Sequence, residues 1–313
     1  MSSMQITTRI GCSVACVYCP QDKFIKAYKK RSHMRQMSFD NFKSYVSKIP
    51  VDVEIWFAGM CEPWLNNDCT NMLLHAHERG HKIRVFTTLV GMNGSDVALL
   101  ESVPFGFFQV HLPSSRESER IPVHGDYLDL LNKICTSKII NLSFHCHGGT
   151  VHSDVNSLLR RKGKKVDLRS LYRRSGNIKI SKRHELSRKR GVIGCLRSSL
   201  CNVLLPNGDV LLCSNDYGMK HILGNLRLCT YDALFQSHEF LKIKRGHRNE
   251  SEDILCRYCD NFGYNVNAVA RLLNFGYQLD RYLYYLKDIQ SFEDMNHFIQ
   301  KGIEMVKKKC GRL

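Results

Sequence analysis

The sequence contains no long apolar run, and it has few acidic residues for its number of basic ones. No stretch approaches the roughly 18 consecutive apolar residues of a membrane-spanning helix, so we expect no helical span. Residues 1–10 lack the apolar region of a secretory signal, and we therefore expect a cytoplasmic protein without disulfides. With 46 Lys and Arg against 29 Asp and Glu, the 313-residue chain has a net charge of +17. This charge favours an anionic substrate or partner.

Cysteine, by contrast, is abundant. The chain has 14 cysteines, and in a reducing compartment such a number indicates metal binding rather than disulfides. Cys12, Cys16 and Cys19 follow a C-x3-C-x2-C spacing. Three thiolates in so short a loop can bind three irons of a cubane cluster and leave the fourth iron open. The alternatives are a structural zinc site, which needs a fourth ligand nearby, and buried free thiols.

The cysteine loop, with Tyr18 directly before its last cysteine, resembles the signature of the radical SAM superfamily. The resemblance implies an α/β fold, a partial (β/α)6 TIM-like barrel, with a [4Fe-4S] cluster on Cys12, Cys16 and Cys19. It also implies that S-adenosylmethionine binds the open iron and is reductively cleaved to a 5′-deoxyadenosyl radical, which abstracts hydrogen from a substrate. The implied partner is a reductant such as flavodoxin or ferredoxin.

The segment up to about residue 150 alternates strand-like and helix-like stretches. Strands separated by helices of this length predict parallel pairing, with residues at the carboxyl ends of the strands lining the site. The predicted strands are 7–10, 51–59, 82–89, 105–112 and 139–145. The predicted helices are 38–48, 68–79, 95–102 and 127–136.

Further cofactor-binding residues are implied by the resemblance. Residues 59–63, Gly-Met-Cys-Glu-Pro, resemble the superfamily element that binds the amino group of the methionine moiety, so Gly59 and Glu62 are predicted to contact it. We expect Cys61 to be a small packing residue. In similar enzymes the strand ends hold the ribose and carboxylate of S-adenosylmethionine. The full predicted set is Tyr18, Gly59, Glu62, Thr88, His111 and Ser114.

Three histidines near these strand ends have two interpretations. His111, His145 and His147 could face the site, or each could be an ordinary core or rim histidine with its hydrogen bonds satisfied.

Residues 152–191 are rich in Lys and Arg, with few acids and few apolar residues. This composition predicts a loop-rich bridging segment that is either a solvated arm or a phosphate-binding cover. Few aromatic residues interleave with the charges, so a platform for stacking single-stranded RNA is missing and nucleic-acid binding is disfavoured.

A second cysteine group follows. Residues 202–213 read as a β-hairpin around Asn207-Gly208. The hairpin and its flanking cysteines resemble the auxiliary-cluster extension of the SPASM and twitch subfamilies. The resemblance implies a second [4Fe-4S] cluster on four thiolates, which would be closed to substrate and suited to electron transfer or a structural role. The implied ligands are Cys195, Cys213, Cys256 and Cys259.

Two alternatives remain for this region. Cys201 competes with Cys195 as the first ligand, and a zinc ribbon could use the same four cysteines. After Cys259 the next cysteine is Cys310, so the single-cluster twitch version fits better than the full SPASM pattern.

The predicted domains are a radical SAM core (1–150), a basic bridging segment (151–194), an auxiliary-cluster domain (195–262) and a helical tail (263–313). The auxiliary-cluster domain is predicted to hold the β-hairpin and a helix from about residue 231 to 244, and the tail a helix starting at Ser291. Stretches such as LPNGDVLLCSNDYG resemble radical SAM proteins of glycan assembly, so we expect a phosphorylated or nucleotide-linked sugar as substrate. The alternatives are a peptide-modifying SPASM maturase, for which the short segment before Cys12 leaves no leader-binding domain, and a non-catalytic, zinc-stabilised RNA-binding protein.

Overall fold

A nine-stranded sheet organises the part of the chain that the structure describes. The computed structural model describes residues 2–171, 173–178, 188–191, 193–195, 198, 200–259 and 264–265. The helix predicted from Ser291 lies outside these residues. Within them, no helix is both long enough and apolar enough to cross a membrane.

Six parallel strands form the core of the sheet in chain order. They are β1 (Ser3–Ile6), β2 (Glu54–Phe57), β3 (Ile83–Thr87), β4 (Phe107–His111), β5 (Leu142–His147) and β6 (Val166–Arg169). One or two helices connect each strand to the next, as parallel pairing requires. The helices are α1 (Gln21–Lys29), α2 (Phe39–Val46), α3 (Cys69–Glu78), α4 (Gly94–Leu100), α5 (Gly125–Thr136) and α6 (Ser153–Arg161). The predicted (β/α)6 arrangement is thereby confirmed.

The first predicted strand was misplaced. β1 spans Ser3–Ile6 rather than residues 7–10, because Met4 and Ile6 are the fully buried apolar residues there. Thr7 and Thr8 lie beyond the strand and bond to the loop after β2. The Thr7 hydroxyl accepts from the Met60 N–H at 3.1 Å, and the Thr8 hydroxyl donates to a loop carbonyl at 2.8 Å.

The sixth strand lies in the segment that was predicted to be a loop-rich bridge. α6 buries Val155, Leu158 and Leu159 on one side, and β6 pairs with β5 in parallel register. The sequence prediction failed because the exposed charges of α6 lower its average hydropathy, although three apolar residues at helical spacing suffice to pack it against the sheet.

The C-terminal strands continue the same sheet on the other side of β1. β8 (Cys201–Leu204) is parallel to β1, β9 (Asp209–Leu211) returns antiparallel to it, and β10 (Ile222–Asn225) pairs with β9. Two further strands, β7 (Ile193–Gly194) and β11 (Tyr264–Asn265), pair with each other. The predicted hairpin is therefore present and joins the barrel sheet directly.

The helix predicted from residue 231 to 244 is two helices. α7 (Tyr231–Leu234) ends before α8 (His238–Arg248) begins. Ser237 separates them by capping α8, because its hydroxyl accepts the Phe240 N–H at 3.2 Å.

The two faces of the parallel sheet differ in polarity. On β4, Phe108 and Val110 are fully buried toward the helices, whereas Gln109 and His111 are partly exposed on the opposite face. In-register neighbours on parallel strands share a face, so the polar side chains of β4, β5 and β6 line one concave surface.

Candidate active site

The cysteine loop follows β1 and is anchored by backbone hydrogen bonds to the loop after β4. The Val17 N–H donates to the Ser118 carbonyl at 2.9 Å, and the Arg120 N–H donates to the Val14 carbonyl at 2.7 Å. Gly11 has a positive φ of 90°, which permits the tight turn into the loop. The loop therefore faces the carboxyl end of the sheet.

The thiols of this loop lie close together. Burial, together with the negative charges of Cys19 and Cys12, raises the pKa of Cys16 to about 12. Burial also raises the pKa of Cys12. Three thiolates in one small space are stable only next to a strong cationic centre, so this set of donors fits an iron-sulfur cluster.

The loop after β2 passes close to the end of β1. Gly59 has a φ of +87°, and a Cβ there would lie 2.5 Å from the Thr7 hydroxyl oxygen. Only glycine fits this close approach. Cys61 is partly buried, with its sulfur 3.6 Å from the Thr8 hydroxyl.

Glu62 is buried and holds the ends of β2 and β3 together. Its carboxylate accepts hydrogen bonds from the Thr87 hydroxyl at 2.7 Å, the Thr88 N–H at 2.6 Å, the Thr88 hydroxyl at 2.7 Å and the Trp64 N–H at 3.3 Å. Burial raises the pKa of Glu62, while these bonds favour its ionised form. The Glu62 N–H also hydrogen-bonds the Cys12 thiol, which connects this loop to the cysteine loop.

A second network joins Tyr18, His111 and Ser114 through a residue that was not predicted, Glu119. The Tyr18 hydroxyl donates to Glu119 and lies 3.0 Å from Nε2 of His111. The other Glu119 oxygen accepts the Ser114 N–H at 3.0 Å and hydroxyl at 2.9 Å. Burial tends to raise the pKa of Glu119, but hydrogen bonds from His111, Tyr18 and Ser114 outweigh it and hold the pKa at about 2. A fixed negative charge therefore lies beside the cysteine loop.

All six predicted cofactor-binding residues thus lie at the carboxyl ends of β1 to β4, within the two networks or at the Gly59 turn. Glu119 gave only a weak signal, an acid five residues after Ser114 within a segment crowded with Ser and Arg.

Residues 173–178 lie between the two cysteine groups. The Arg174 guanidinium hydrogen-bonds the Tyr217 hydroxyl, and it lies 6.0 Å from the centre of the Tyr18 ring. The Tyr217 hydroxyl is in turn 3.9 Å from the Cys19 sulfur. On the other side, the Ser175 hydroxyl donates to the Cys259 sulfur at 2.8 Å. This part of the basic segment therefore contacts the surroundings of both sites.

The second cysteine group converges around Cys256. Burial raises the pKa of Cys256 well above its usual value, and the charges of Cys195, Cys213 and Cys259 raise it further. Cys201 is buried within β8, opposite Ser3 of β1. These positions support Cys195, rather than Cys201, as the first of four ligands.

Comparison with known proteins supports the same view of the C-terminal region. Residues 195–260 match the family model of SPASM, an iron-sulfur cluster-binding domain. This match favours an iron-sulfur cluster over a zinc ribbon. No curated protein matches the sequence.

Several solved structures share the fold. BtrN in complex with AdoMet and 2-DOIA is 18% identical, with a TM-score of 0.54 over 83% of this chain and 93% of BtrN. SuiB of Streptococcus suis bound to the precursor peptide SuiA is 14% identical, with a TM-score of 0.56 over 77% of this chain and 66% of SuiB. Native anSMEcpe with bound AdoMet is 13% identical, with a TM-score of 0.54 over 82% of this chain and 86% of anSMEcpe.

At these identities the solved structures show a common fold, and the cysteines of this chain supply the further evidence. The three-cysteine loop after β1 fits the first cluster, and the SPASM match covers all four cysteines of the second group. The SPASM match supports an iron-sulfur cluster in the C-terminal region, and BtrN and anSMEcpe hold AdoMet in their solved structures. Taken together, the comparisons identify residues 195–260 as a SPASM-type iron-sulfur cluster-binding domain and show that the chain shares the fold of BtrN, SuiB and anSMEcpe.

Proposed function

We propose that this chain is a radical SAM enzyme that abstracts hydrogen from a phosphorylated or nucleotide-linked sugar, a glycan precursor, and oxidises or rearranges it. The observation that supports this proposal is the chemistry of the concave face next to the cysteine loop. It combines neutral hydrogen-bonding side chains with arginines, which suits a substrate that carries both hydroxyl groups and an anionic group.

The polar surface is built by in-register positions of β4, β5 and β6. The Gln109 amide donates to the Ser143 hydroxyl at 3.3 Å, and Arg169 donates to the Gln109 carbonyl oxygen at 3.1 Å. Arg169 also pairs with Asp167 at 2.6 Å. Arg174 and Arg169 both lie near His147, whose pKa is lowered mainly by burial and further by the charges of His111 and of these two arginines. Sugar hydroxyls can exchange with such neutral bonds, and two arginines can bind a phosphate.

Each cysteine group has its own proposed role. Cys12, Cys16 and Cys19 would hold the cluster that binds S-adenosylmethionine, and the SPASM cysteines would hold the auxiliary cluster. When bound, the first cluster and S-adenosylmethionine supply a reaction that removes a hydrogen atom from an unactivated carbon of the substrate.

The protein's own residues position and shield this reaction. Glu62 joins the ends of β2 and β3 and orients the loop that contacts the Cys12 thiol. Glu119 fixes Tyr18, His111 and Ser114 relative to one another. We propose Tyr18, Gly59, Glu62, Thr88, His111 and Ser114 as the surroundings of S-adenosylmethionine, with Glu62 and Glu119 acting through their neighbours.

The electron donor is proposed to be an acidic protein such as flavodoxin or ferredoxin. A cavity next to Cys12 is lined by the basic side chains of Arg9, Lys29 and Arg35. Such a surface attracts an acidic partner to within electron-transfer reach of the first cluster.

The substrate proposal is tested by substrate-dependent release of 5′-deoxyadenosine. The anaerobically reconstituted enzyme is incubated with reductant, S-adenosylmethionine and a panel of nucleoside-diphosphate sugars, sugar phosphates and peptides. We expect a sugar nucleotide or sugar phosphate to stimulate release, and deuterium from the labelled sugar to enter 5′-deoxyadenosine. Stimulation by peptides alone would contradict the sugar proposal and support a peptide-modifying enzyme.

Matched arginine variants locate the anionic group. Arg169→Gln is expected to raise KM for the active sugar by about tenfold, the loss of one charge-assisted hydrogen bond. Arg161→Gln, exposed on α6, is expected to leave KM unchanged. An equal effect of both variants would mean that Arg169 does not contact the substrate.

A further inference from the structure

Three histidines form a cluster on the concave face, at the ends of β4 and β5. His111 is in register with His145, and His147 follows two residues later on the same side of β5. The His111 and His145 rings are stacked with their centres 4.8 Å apart. The His147 ring lies 4.9 Å from His111 and 5.0 Å from His145. One ring nitrogen from each histidine lies within 4.8 Å of the other two.

Two of these histidines have buried nitrogens without a partner. His145 is 4% exposed, and its Nδ1 has no hydrogen-bond partner among the described residues. The same holds for Nδ1 of His147. Each unpartnered buried nitrogen costs about 1–3 kcal/mol. His145 and His147 are therefore not fully satisfied by the described residues, and their Nδ1 atoms are available to a ligand.

The third histidine has the environment of a metal ligand. Nε2 of His111 lies 3.0 Å from the Tyr18 hydroxyl and 3.5 Å from Glu119 Oε1. Ser114 holds Glu119 in turn. A carboxylate behind one ring nitrogen fixes the ring and raises the basicity of the other nitrogen, as in carboxylate–histidine–metal arrangements. The Nδ1 of His111 is then left for the ligand.

Charged groups of both signs surround the cluster. Arg169 is paired with Asp167, and the Arg174 guanidinium hydrogen-bonds the Tyr217 hydroxyl. Glu119 supplies a negative charge behind His111.

We infer that His111, His145 and His147 bind a divalent first-row transition ion, with an open coordination position facing the concave cavity. Imidazole ligands suit such ions, and three histidines with an open position are the arrangement of catalytic zinc sites. At bond lengths of about 2.0 Å the three nitrogens would lie about 3.3 Å apart, whereas they lie within 4.8 Å of one another here, so the rings would have to rotate when the ion binds. The open position would take an oxygen of the substrate and polarise it.

The proposal is tested with Zn²⁺ alone, without substrate or S-adenosylmethionine, so that its failure is distinct from that of the proposed function. The reconstituted holoenzyme is incubated anaerobically with Zn²⁺ and passed over a chelating resin. Zinc and iron are then counted by mass spectrometry, and zinc K-edge absorption spectroscopy identifies the ligands. We expect about one zinc per chain with imidazole nitrogens at about 2.0 Å.

Variants separate this site from the cysteines. His147→Asn, at a partly exposed position, is expected to lose at least nine-tenths of the zinc and to keep its iron. His124→Asn, at an exposed position outside the cluster, is expected to retain the zinc. Unchanged iron shows that the fold is intact. The proposal is overturned if no zinc is retained, if sulfur ligands at about 2.3 Å are found, or if His147→Asn binds zinc as the wild type does.

Discussion

The two cysteine groups of this chain differ in the number of cysteines and in their surroundings. The N-terminal group has three partly exposed cysteines beside a polar concave face. The C-terminal group has four, and two of them, Cys256 and Cys259, are buried. Three thiolates leave one iron of a cubane cluster free for a small molecule, whereas four close the cluster. The comparison teaches that the first site is suited to chemistry and the second to electron transfer or structure.

The largest effect is expected from removing the three N-terminal cysteines. A Cys12/Cys16/Cys19→Ala variant should lose about four of about eight irons and all release of 5′-deoxyadenosine, because only this group can present an open iron. Iron counting and chromatography of the products measure both. Cys135→Ala, a buried cysteine of α5, should keep iron and activity. Persistent 5′-deoxyadenosine release in the triple variant would contradict the assignment of the chemistry to the N-terminal cysteines.

The next effect distinguishes the two candidate first ligands of the C-terminal group. Cys195→Ala should lose up to about four irons while the N-terminal cluster remains and still cleaves S-adenosylmethionine. Cys201→Ala should retain all iron, because Cys201 is buried in β8 opposite Ser3. Iron and sulfide analysis, together with electron paramagnetic resonance, would show which of the two variants loses the auxiliary cluster. The opposite pattern would make Cys201 the ligand.

A smaller effect is expected where the two regions are joined. Arg174 contacts Tyr18, next to the first site, and Tyr217, four residues after Cys213. Arg174→Gln should keep all iron but lower substrate turnover by about tenfold, equivalent to about 1.4 kcal/mol, since one charged contact to each aromatic ring is lost. The measurement compares the amount of product formed with the amount of 5′-deoxyadenosine that is released without product formation. Unchanged turnover would mean that Arg174 does not connect the sites.

The smallest expected effect is a pH dependence of folding stability that arises from a histidine of the C-terminal region, His247. Burial, with the positive charges of Arg257 and His221, lowers the pKa of His247 from 6.5 to about 4. The unfolded chain therefore binds a proton near pH 6.5 that the folded chain binds only near pH 4. The contribution of His247 to the free energy of unfolding is fully present above pH 6.5 and is lost as the pH drops toward 4. It falls by about 1 kcal/mol between pH 7.5 and 5.5.

Anaerobic denaturant titrations at these two pH values test the prediction. The charged groups that face His247 are Arg257 and His221, and His221 donates to Glu239 at 2.6 Å. His247→Leu removes the unpartnered ring nitrogen and should reduce the pH dependence by about 1 kcal/mol. His238→Gln, at the exposed start of α8, should retain it. An unchanged slope in His247→Leu would assign the pH dependence to another group.

Much of the fold followed from local patterns. The helix capped by Ser38 lies where it was predicted, because the Ser38 hydroxyl accepts the Asn41 N–H and Phe42, Tyr45 and Val46 are buried. The hairpin at Gly208 is also present, since a φ of +88° requires glycine there. β6 was missed because its only pattern is four residues with two exposed side chains, and its identity as a strand comes from pairing with β5.

The sequence by itself determined the spacing of the cysteines and the alternation of strands and helices. Both are properties of neighbouring residues, and together they predict parallel strands joined by helices and two groups of metal-binding cysteines. Only the tertiary structure decided which distant side chains complete the sites. Tyr18 and Glu119 are 101 positions apart, and Arg174 reaches Tyr217 across 43. Such pairs depend on how parallel strands bring their carboxyl ends together, and local sequence carries no record of that packing.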